Sequence, residues 1–514
     1  MAAETIMSPD GRGYSRELWL NVVATALGLT YSAYRQLRAA RTLPPGPWGV
    51  PFLGYAPFLS NHCTYLKYNE LARQYGPICS FTQRGNTVIL LSDHKLIKTA
   101  FDMKSVTGRP NDGYMDIIGG YGAVNSTGKL WESQRKFLHL VLRHMGMTFT
   151  GHNRLNMESR IMIEVSTLTE TFHKACGKPI DLNAGSLCLA ITNVISSLTM
   201  SVRFEPNDPR FERYMHMVDE GFKLFGMLRP VSLFLPRRHL ADERNIQQKI
   251  KNNHQEIAGY FQNIIEEHRN TFDSNFVRDL VDAYLLEIQK SENAGTMDQL
   301  FQGLDPNRQI QQILGDLFSA GMETIKNTIL WAMVYMLHYP DVMTKVQDEI
   351  DSVVGQYKSP VLDDYPHLPY TQATLYEVLR KSSITPLGTT HATTSDVTLN
   401  GYHIPTGAQI IPLQHFVHND PNLWDDPEAF KPERFINAEG KVKKPDCFLP
   451  FGVGRRKCLG ETLAQMELYL FFSTLLHEFN VCLPDGDELP SMDGQIGITL
   501  TPQSFKVVMK KRTR

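Results

Sequence analysis

Cysteine is scarce in this chain: there are seven in 514 residues, and no two form a Cys-x-x-Cys pair. So sparse and odd a set cannot form the framework of a disulfide-stapled secreted domain, and a zinc ribbon needs paired thiols. The reading is a reduced, cytosol-facing environment in which one cysteine can hold a special role. An excess of either charge is also missing. Lys and Arg total 52 against 54 for Asp and Glu, a net charge of -2. A nucleic-acid binder needs a basic surplus to neutralise phosphates, so no nucleic-acid partner is expected. His-Glu-x-x-His, Gly-x-Ser-x-Gly and a phosphate loop are absent, as are internal repeats and low-complexity tracts. Gly452-Val453-Gly454 lacks the third glycine of a dinucleotide fingerprint, so no nicotinamide site is expected within the chain.

Long uncharged runs are rare as well. The notable one is near the N-terminus, where the seventeen residues from Leu18 to Tyr34 carry no charge. A membrane span needs roughly 17 to 25 mostly apolar residues, and Asn21, Thr25, Thr30 and Ser32 dilute this one. Arg35, Arg38 and Arg41 follow with no acid among them, which favours a cytosolic C-terminal side. A cleaved signal peptide fits poorly without a basic lead and a small-residue cleavage site. Next comes Leu43-Pro44-Pro45-Gly46-Pro47-Trp48-Gly49, where prolines without an amide hydrogen rule out helix and predict a stiff, extended connector. The expected organisation is a membrane anchor with a basic flank at 1–42, a proline-rich hinge at 43–60, and one large domain at 61–514. An amphipathic helix lying on the membrane is the alternative for the first segment.

What is abundant is helical periodicity. With 42 % hydrophobic and 21 % charged residues the chain can build a large core, and disorder is excluded. Asp305-Pro306, a capping acid before a first-turn proline, opens a face running through Ile310, Ile313, Leu314, Leu317, Phe318, Ile325, Ile329, Ala332, Met333 and Met336. Tyr339-Pro340 stops it, which predicts a helix of about 50 Å. Strand-like alternation is confined to Asn86–Leu91, 397–412 and 497–509, and the polar stretch 291–307 reads as a surface loop. The fold class is mainly α with a small β region.

Phe451-Gly452-Val453-Gly454-Arg455-Arg456-Lys457-Cys458-Leu459-Gly460 stands before an apolar helix. A cysteine at a helix start, beside Arg455, Arg456 and Lys457, is expected to favour its thiolate, as a nucleophile or a metal ligand. The segment resembles the haem loop of the cytochrome P-450 family, Phe-x-x-Gly-x-Arg-x-Cys-x-Gly, matched at Phe451, Gly454, Arg456, Cys458 and Gly460. Five fixed matches arise by chance in roughly one of several thousand such chains. The resemblance implies the cytochrome P-450 fold, haem b (iron protoporphyrin IX) with Cys458 as thiolate ligand, and Arg456 on a haem propionate. A thiolate ligand favours O–O cleavage.

Further motifs carry the same resemblance. Ala320-Gly321-Met322-Glu323-Thr324 is similar to the family's oxygen-activation stretch. There a helix passing over iron is expected to lack side chains at Ala320 and Gly321, while Thr324 bonds back one turn and passes protons, with Glu323 as upstream acid. Glu377-Val378-Leu379-Arg380 with Pro432-Glu433-Arg434-Phe435 resembles the family's proximal lock, a structural role. Trp131-Glu132-Ser133-Gln134-Arg135 resembles its propionate-binding helix, and His391 lies where members carry Arg or His for the other propionate. Electrons are then expected from NADPH through a separate NADPH-cytochrome P-450 reductase, with Lys136, Arg143, Lys443, Lys444 and Lys457 as a candidate docking face.

Longer stretches, among them Gly122–Trp131, Asp316–Lys326 and Thr389-Thr390-His391, resemble the family's arthropod ecdysteroid 26-hydroxylases. That implies hydroxylation of a lipophilic ecdysteroid at C26 by an enzyme of the endoplasmic reticulum membrane, its catalytic domain facing the cytosol. The segments 114–121, 222–235, 385–389 and 497–498 are expected to line its pocket. A broad-specificity xenobiotic or lipid monooxygenase is one alternative. A non-catalytic haem-binding or sensing protein is another, which Glu323-Thr324 argues against.

Overall fold

The side chain of Asp305 accepts from the Asn307 amide at 2.9 Å, capping a helix that runs from Pro306 to His338 and ends ahead of Pro340. Both predicted ends hold. The computed structural model describes residues 42–50, 53–59, 64–110, 117–183, 185–227, 237–497 and 499–513, with short stretches between 5 and 30. Six helices build the centre of the molecule: α1 (Gly128–His144), α2 (Ser186–Met200), α3 (Arg237–Thr271), α4 (Pro306–His338), α5 (Pro369–Ser382) and α6 (Glu461–Glu478). α4 crosses the middle, packed by α2, α3, α5 and α6. Phe318, Ile329, Trp331 and Met333 on it are fully buried, and burying each such side chain contributes about 1.5–3 kcal/mol. Trp331 buries its indole without an orphaned donor, because Nε1 reaches the Leu500 carbonyl at 2.9 Å.

The main sheet has four strands in the order β1 (Ile78–Gln83), β2 (Asn86–Leu91), β4 (Gln409–Pro412), β3 (His391–Ala392). β1 and β2 form a hairpin whose two-residue turn, Arg84-Gly85, has φ of 51° and 87°, the conformation that matches strand twist. β2 pairs parallel with β4, and β4 antiparallel with β3. This pairing puts His391, opposite Ile410 of β4, in one sheet with strands about three hundred residues earlier. A second sheet joins Phe479–Cys482, Lys506–Lys511 and Ile180–Asp181.

β1 and Phe479–Cys482 lie outside the strand expectations. β1 buries four consecutive residues, so it shows no alternation. The stretch 291–307 is also not simply a surface loop. Its first residues end the helix Leu280–Ala294, and Met297–Phe301 is a short helix that buries Leu300 and Phe301. The Leu300 carbonyl accepts from Ser133 and Gln134 of α1, both at 2.9 Å.

Much of the expected anchor at 1–42 lies outside the described residues. Those described between Leu20 and Thr30 are helical, with the Thr25 and Thr30 hydroxyls bonding back to Asn21 and Ala26 at 2.7 and 2.8 Å. Among the described residues no helix is long and apolar enough to cross a membrane. The described part of the proline segment is sewn onto the body: the Ser80 amide donates to Pro45 at 2.9 Å and its hydroxyl to Pro44. Tyr55 donates to Thr82 at 2.7 Å, and Thr42 accepts from His403 at 3.1 Å.

Candidate functional site

Between α4 and the loop leading into α6 lies a cavity of about 1110 Å³. Cys458, Thr324, Trp131 and His391 all line it. The Cys458 loop is fixed by its own backbone, with the Cys458 amide donating to Phe451 at 2.9 Å. At Gly454, φ is +74° and a Cβ would lie 2.4 Å from the Phe101 carbonyl oxygen, so only glycine fits. Arg455 Nε donates to Asp102 at 2.8 Å, clamping the loop to the helix His94–Asp102.

Local charge alone does not favour the thiolate. Burial raises the Cys458 pKa, and the Gly460 amide, Arg135 and Lys457 oppose it only in part. Arg455 is spent on Asp102, Arg456 on three carbonyls, and Lys457 on Glu461 at 2.5 Å. The helix proper starts at Glu461, three residues on. A metal ion ligated by Sγ would itself supply the charge that stabilises the thiolate.

One wall of the cavity carries an unusual accumulation of positive groups. Arg456 donates Nε to Thr107 at 2.7 Å and Nη1 to Val124 at 3.1 Å, with Nη2 bonded to Ser126, and lies 4.3 Å over the Trp131 ring. Arg109 donates to Val124 and Thr390 at 2.8 and 2.9 Å, and Arg135 to Lys457. None of the three forms an ion pair among the described residues. Burial, then mutual repulsion with Arg109 and Arg135, pushes Arg456 down to about 8. Burial and Arg135 push Arg109 down to about 10, against the pull of Asp316. His391 stacks on Phe101 at 3.8 Å and donates Nδ1–H to Val106 at 2.9 Å. Burial, aided by Arg109 and Arg456, holds it down to about 3, so Nε2 is unprotonated. A carboxylate set here would relieve the guanidinium repulsion and let Nε2 take up a proton and donate. Three uncompensated arginines, a cavity-facing thiol and apolar walls fit a flat, iron-bearing macrocycle with carboxylate arms. Cys458 could ligate its metal, while Trp131, Arg135, Arg456, His391 and Arg109 could hold the arms. Sequence reasoning missed Arg109, which no motif marks.

On the facing wall, the Thr324 hydroxyl donates to the Ala320 carbonyl at 2.8 Å, as expected. Gly321 lines the cavity, and a Cβ there would also meet the Ile195 side chain of α2 at 3.1 Å, so the missing side chain eases helix packing as well. Glu323 also lines the cavity, yet it is tied down: Lys326 at 2.7 Å, Asn327 at 2.8 Å and Thr499 at 3.2 Å. Phe451 lies on the lining as part of the Cys458 loop.

The proximal lock is assembled as read. Glu377 receives Arg380 through both oxygens at 2.8 Å and Arg434 at 3.1 Å, with the first pair fully buried. Trp424 lies against both guanidinium groups. The cavity roof is pinned by contacts between two of the stretches that carry the resemblance, contacts the sequence does not show. Asp316 accepts from the Ala123 and Val124 amides at 2.7 and 2.9 Å, and Gln309 exchanges bonds with Gly122. Gly122 has φ +94° and no room for a Cβ, which explains the Gly122-Ala123-Val124 stretch by contact with α4. Of the expected lining segments, Ile117, Ile118 and Tyr121, and Thr385, Gly388 and Thr389, flank the site, as does Thr499 next to the last segment. Residues 111–116, 228–236 and 498 lie outside the described residues.

Residues 44–509 match the family described as Cytochrome P450. Cytochrome P450 18a1 of Drosophila melanogaster is 46 % identical over 495 residues, covering 96 % of this chain and 91 % of its own. Cytochrome P450 2K6 of Danio rerio is 35 % identical over 471 residues, 90 % of each chain. Cytochrome P450 2D6 of Homo sapiens is 34 % identical over 502 residues, 95 % and 97 % of the two chains.

Proposed function

The chain belongs to the cytochrome P450 family, and on that premise we propose that this haem-thiolate monooxygenase hydroxylates an ecdysteroid at the C26 end of its side chain. The family uses haem with a cysteine thiolate ligand and electrons that a reductase draws from NADPH. When bound, the haem would supply the activation of dioxygen and the insertion of one of its oxygen atoms into a C–H bond. This chain's residues would do the rest. Cys458 would hold the iron, the arginine wall and His391 would hold the propionates, and the Thr324 hydroxyl would pass protons into the cavity. The apolar helices exclude water.

The observation that carries the substrate reading is the uneven polarity of the cavity. Asn253 and His254 of α3 meet Gln311 and Gln312 of α4 on its lining, and His254 bonds Gln312 at 2.8 Å. Gln312 precedes Thr324 by twelve residues, about 18 Å along the helix axis. The lining also carries apolar side chains, among them Ile325 next to Thr324, and Leu379, Ile384 and Leu463. A molecule with a hydroxylated body and an apolar tail would lie with the tail toward Cys458. Turnover of 20-hydroxyecdysone, in membranes with reductase, NADPH and oxygen, tests this. The expected product is one oxygen heavier at the side-chain terminus. No product from a preparation with an intact thiolate–CO spectrum overturns the substrate and favours the broad-specificity reading.

The location proposed is the endoplasmic reticulum membrane, with the catalytic body in the cytosol. The uncharged run Leu18–Tyr34 and the basic residues Arg35, Arg38 and Arg41 support it. Deleting residues 1–40 should release the protein from membranes, and continued membrane association would remove the anchor from the reading.

A further inference from the structure

Six acidic residues are buried among the described residues: Glu158, Glu164, Asp279, Asp282, Glu377 and Glu467. Five have partners. Glu158 accepts from the Leu362 amide, Glu164 from Arg203, Asp279 from His268, Asp282 from Arg278, and Glu377 from Arg380 and Arg434. Glu467 is the exception. It is 2 % exposed, its Oε2 has no hydrogen-bond partner, and it forms no ion pair among the described residues. Leaving a buried polar group unsatisfied costs about 1–3 kcal/mol, so a leucine of similar size would be the more stable choice. Its position accounts for what stability does not. Leu463, Ala464, Glu467 and Leu468 form one face of α6, and all four line the cavity that holds Cys458. α4 packs against α6, and its Thr324 and Thr328 line the same cavity. The Thr328 hydroxyl donates to the Thr324 carbonyl at 2.8 Å, one turn beyond the Thr324–Ala320 bond.

We propose that Glu467 is a second proton donor of this cavity, a carboxyl group on α6 that complements Thr324 on the α4 helix packed against it. Monooxygenation consumes protons as one oxygen atom of dioxygen leaves as water. In each cycle the Oε–H bond of Glu467 breaks, its proton passes through cavity water to the oxygen atom that leaves as water, and bulk solvent reprotonates the carboxylate, so the group is unchanged overall while one solvent proton is consumed. Electrons come from NADPH through the reductase and the oxidant is dioxygen, both part of the family's activity. Burial alone acts on this carboxyl, raising its pKa well above the usual carboxylate range, and so holds the acid form ready. Glu323 is less suited to the task, since its oxygens are already engaged by Lys326, Asn327 and Thr499. The inference rests on the monooxygenase chemistry and not on the ecdysteroid.

The test compares full-length, haem-loaded wild type with Glu467→Gln, Glu467→Leu and Glu467→Asp. All four are assayed with reductase and NADPH, both with and without ecdysteroid. The infrared spectrum of the wild type should contain a protonated-carboxyl band that Glu467→Gln removes at neutral pH. Glu467→Gln should keep its thiolate–CO spectrum and melting temperature, and Glu467→Leu should melt at the same temperature or higher. In both, the share of NADPH lost to hydrogen peroxide should rise several-fold, with a larger solvent deuterium isotope effect on kcat. Glu467→Asp should recover part of the coupling. A missing carboxyl band overturns the proposal, as does an unchanged peroxide share and isotope effect in haem-loaded Glu467→Gln. Loss of haem from Glu467→Gln, which keeps the shape of the side chain, overturns it in favour of a structural role. Because the peroxide share is read without substrate as well, a wrong ecdysteroid assignment leaves this result legible.

Discussion

Arg456 lies with its guanidinium 4.3 Å above the Trp131 ring while it donates to the carbonyls of Thr107, Val124 and Ser126. One side chain thus ties the cysteine loop to α1 and to the segment before it. Lysine keeps the charge but cannot make a planar stack or a forked set of bonds. Arg456→Lys should therefore load haem and release it about ten-fold faster or more, in line with the loss of one charge-assisted bond. Haem transfer to a scavenging apo-globin measures the rate, and an unchanged rate would remove Arg456 from the propionate wall.

The Glu377–Arg380–Arg434 cluster holds its charges in the core, where removing one partner strands the others. Glu377→Gln should cost about 3–5 kcal/mol. Denaturant titration of the holoprotein reads this directly. A variant as stable as the parent would show that the cluster is dispensable.

Thr324 predicts the opposite pattern, a change in chemistry at nearly constant stability. The Ala320 carbonyl that it engages belongs to an unbroken helix, so Thr324→Ala should fold and bind haem as the parent does. Product formed per NADPH should fall several-fold, and Thr324→Ser should recover most of it. Equal coupling in the alanine variant takes Thr324 out of the proton path.

His268 offers a pH test away from the cavity. Its Nδ1 donates to Ile264 at 2.8 Å and its Nε2 to Asp279 at 2.7 Å, which requires the imidazolium. Burial opposes that charge, but the Asp279 bond and charge outweigh it and raise the pKa. These bonds also occupy the only grouping with metal-ligand spacing among the described residues, His268, Asp279 and Asp282. Because the folded pKa is raised, the stabilisation is complete below the ordinary value of about 6.5 and is lost as pH climbs through the folded one. The melting-temperature gap between wild type and His268→Gln should be widest below about pH 6.5 and narrow toward alkaline pH. A gap independent of pH would mean that the imidazole is neutral in the fold.

Local chemistry was legible in the sequence wherever it is contiguous. The ends of α4 follow from a capping acid and two prolines, and Cys458, Thr324 and Glu377–Arg380 each sit in a short motif. Features made by distant segments were not legible. Arg109 joins the positive wall because Gly108 bridges to Ala392 of β3 and the Arg109 guanidinium donates to Thr390, far along the chain. Asp316 reads as one polar residue on α4 until Ala123 and Val124 turn their amides toward it. Counting three basic neighbours along the chain likewise does not reveal that Arg455, Arg456 and Lys457 each have other partners.

The stitching of Pro44 and Pro45 to Ser80 has a mechanical consequence. A loose leash would let the catalytic body tumble about its N-terminal segment, and every orientation of the cavity mouth would be sampled. Bolted to a sheet strand, the proline run is instead a bracket. Thr42 is held as well, accepting from His403, so the described chain is fixed to the body at the start of the bracket and along its prolines.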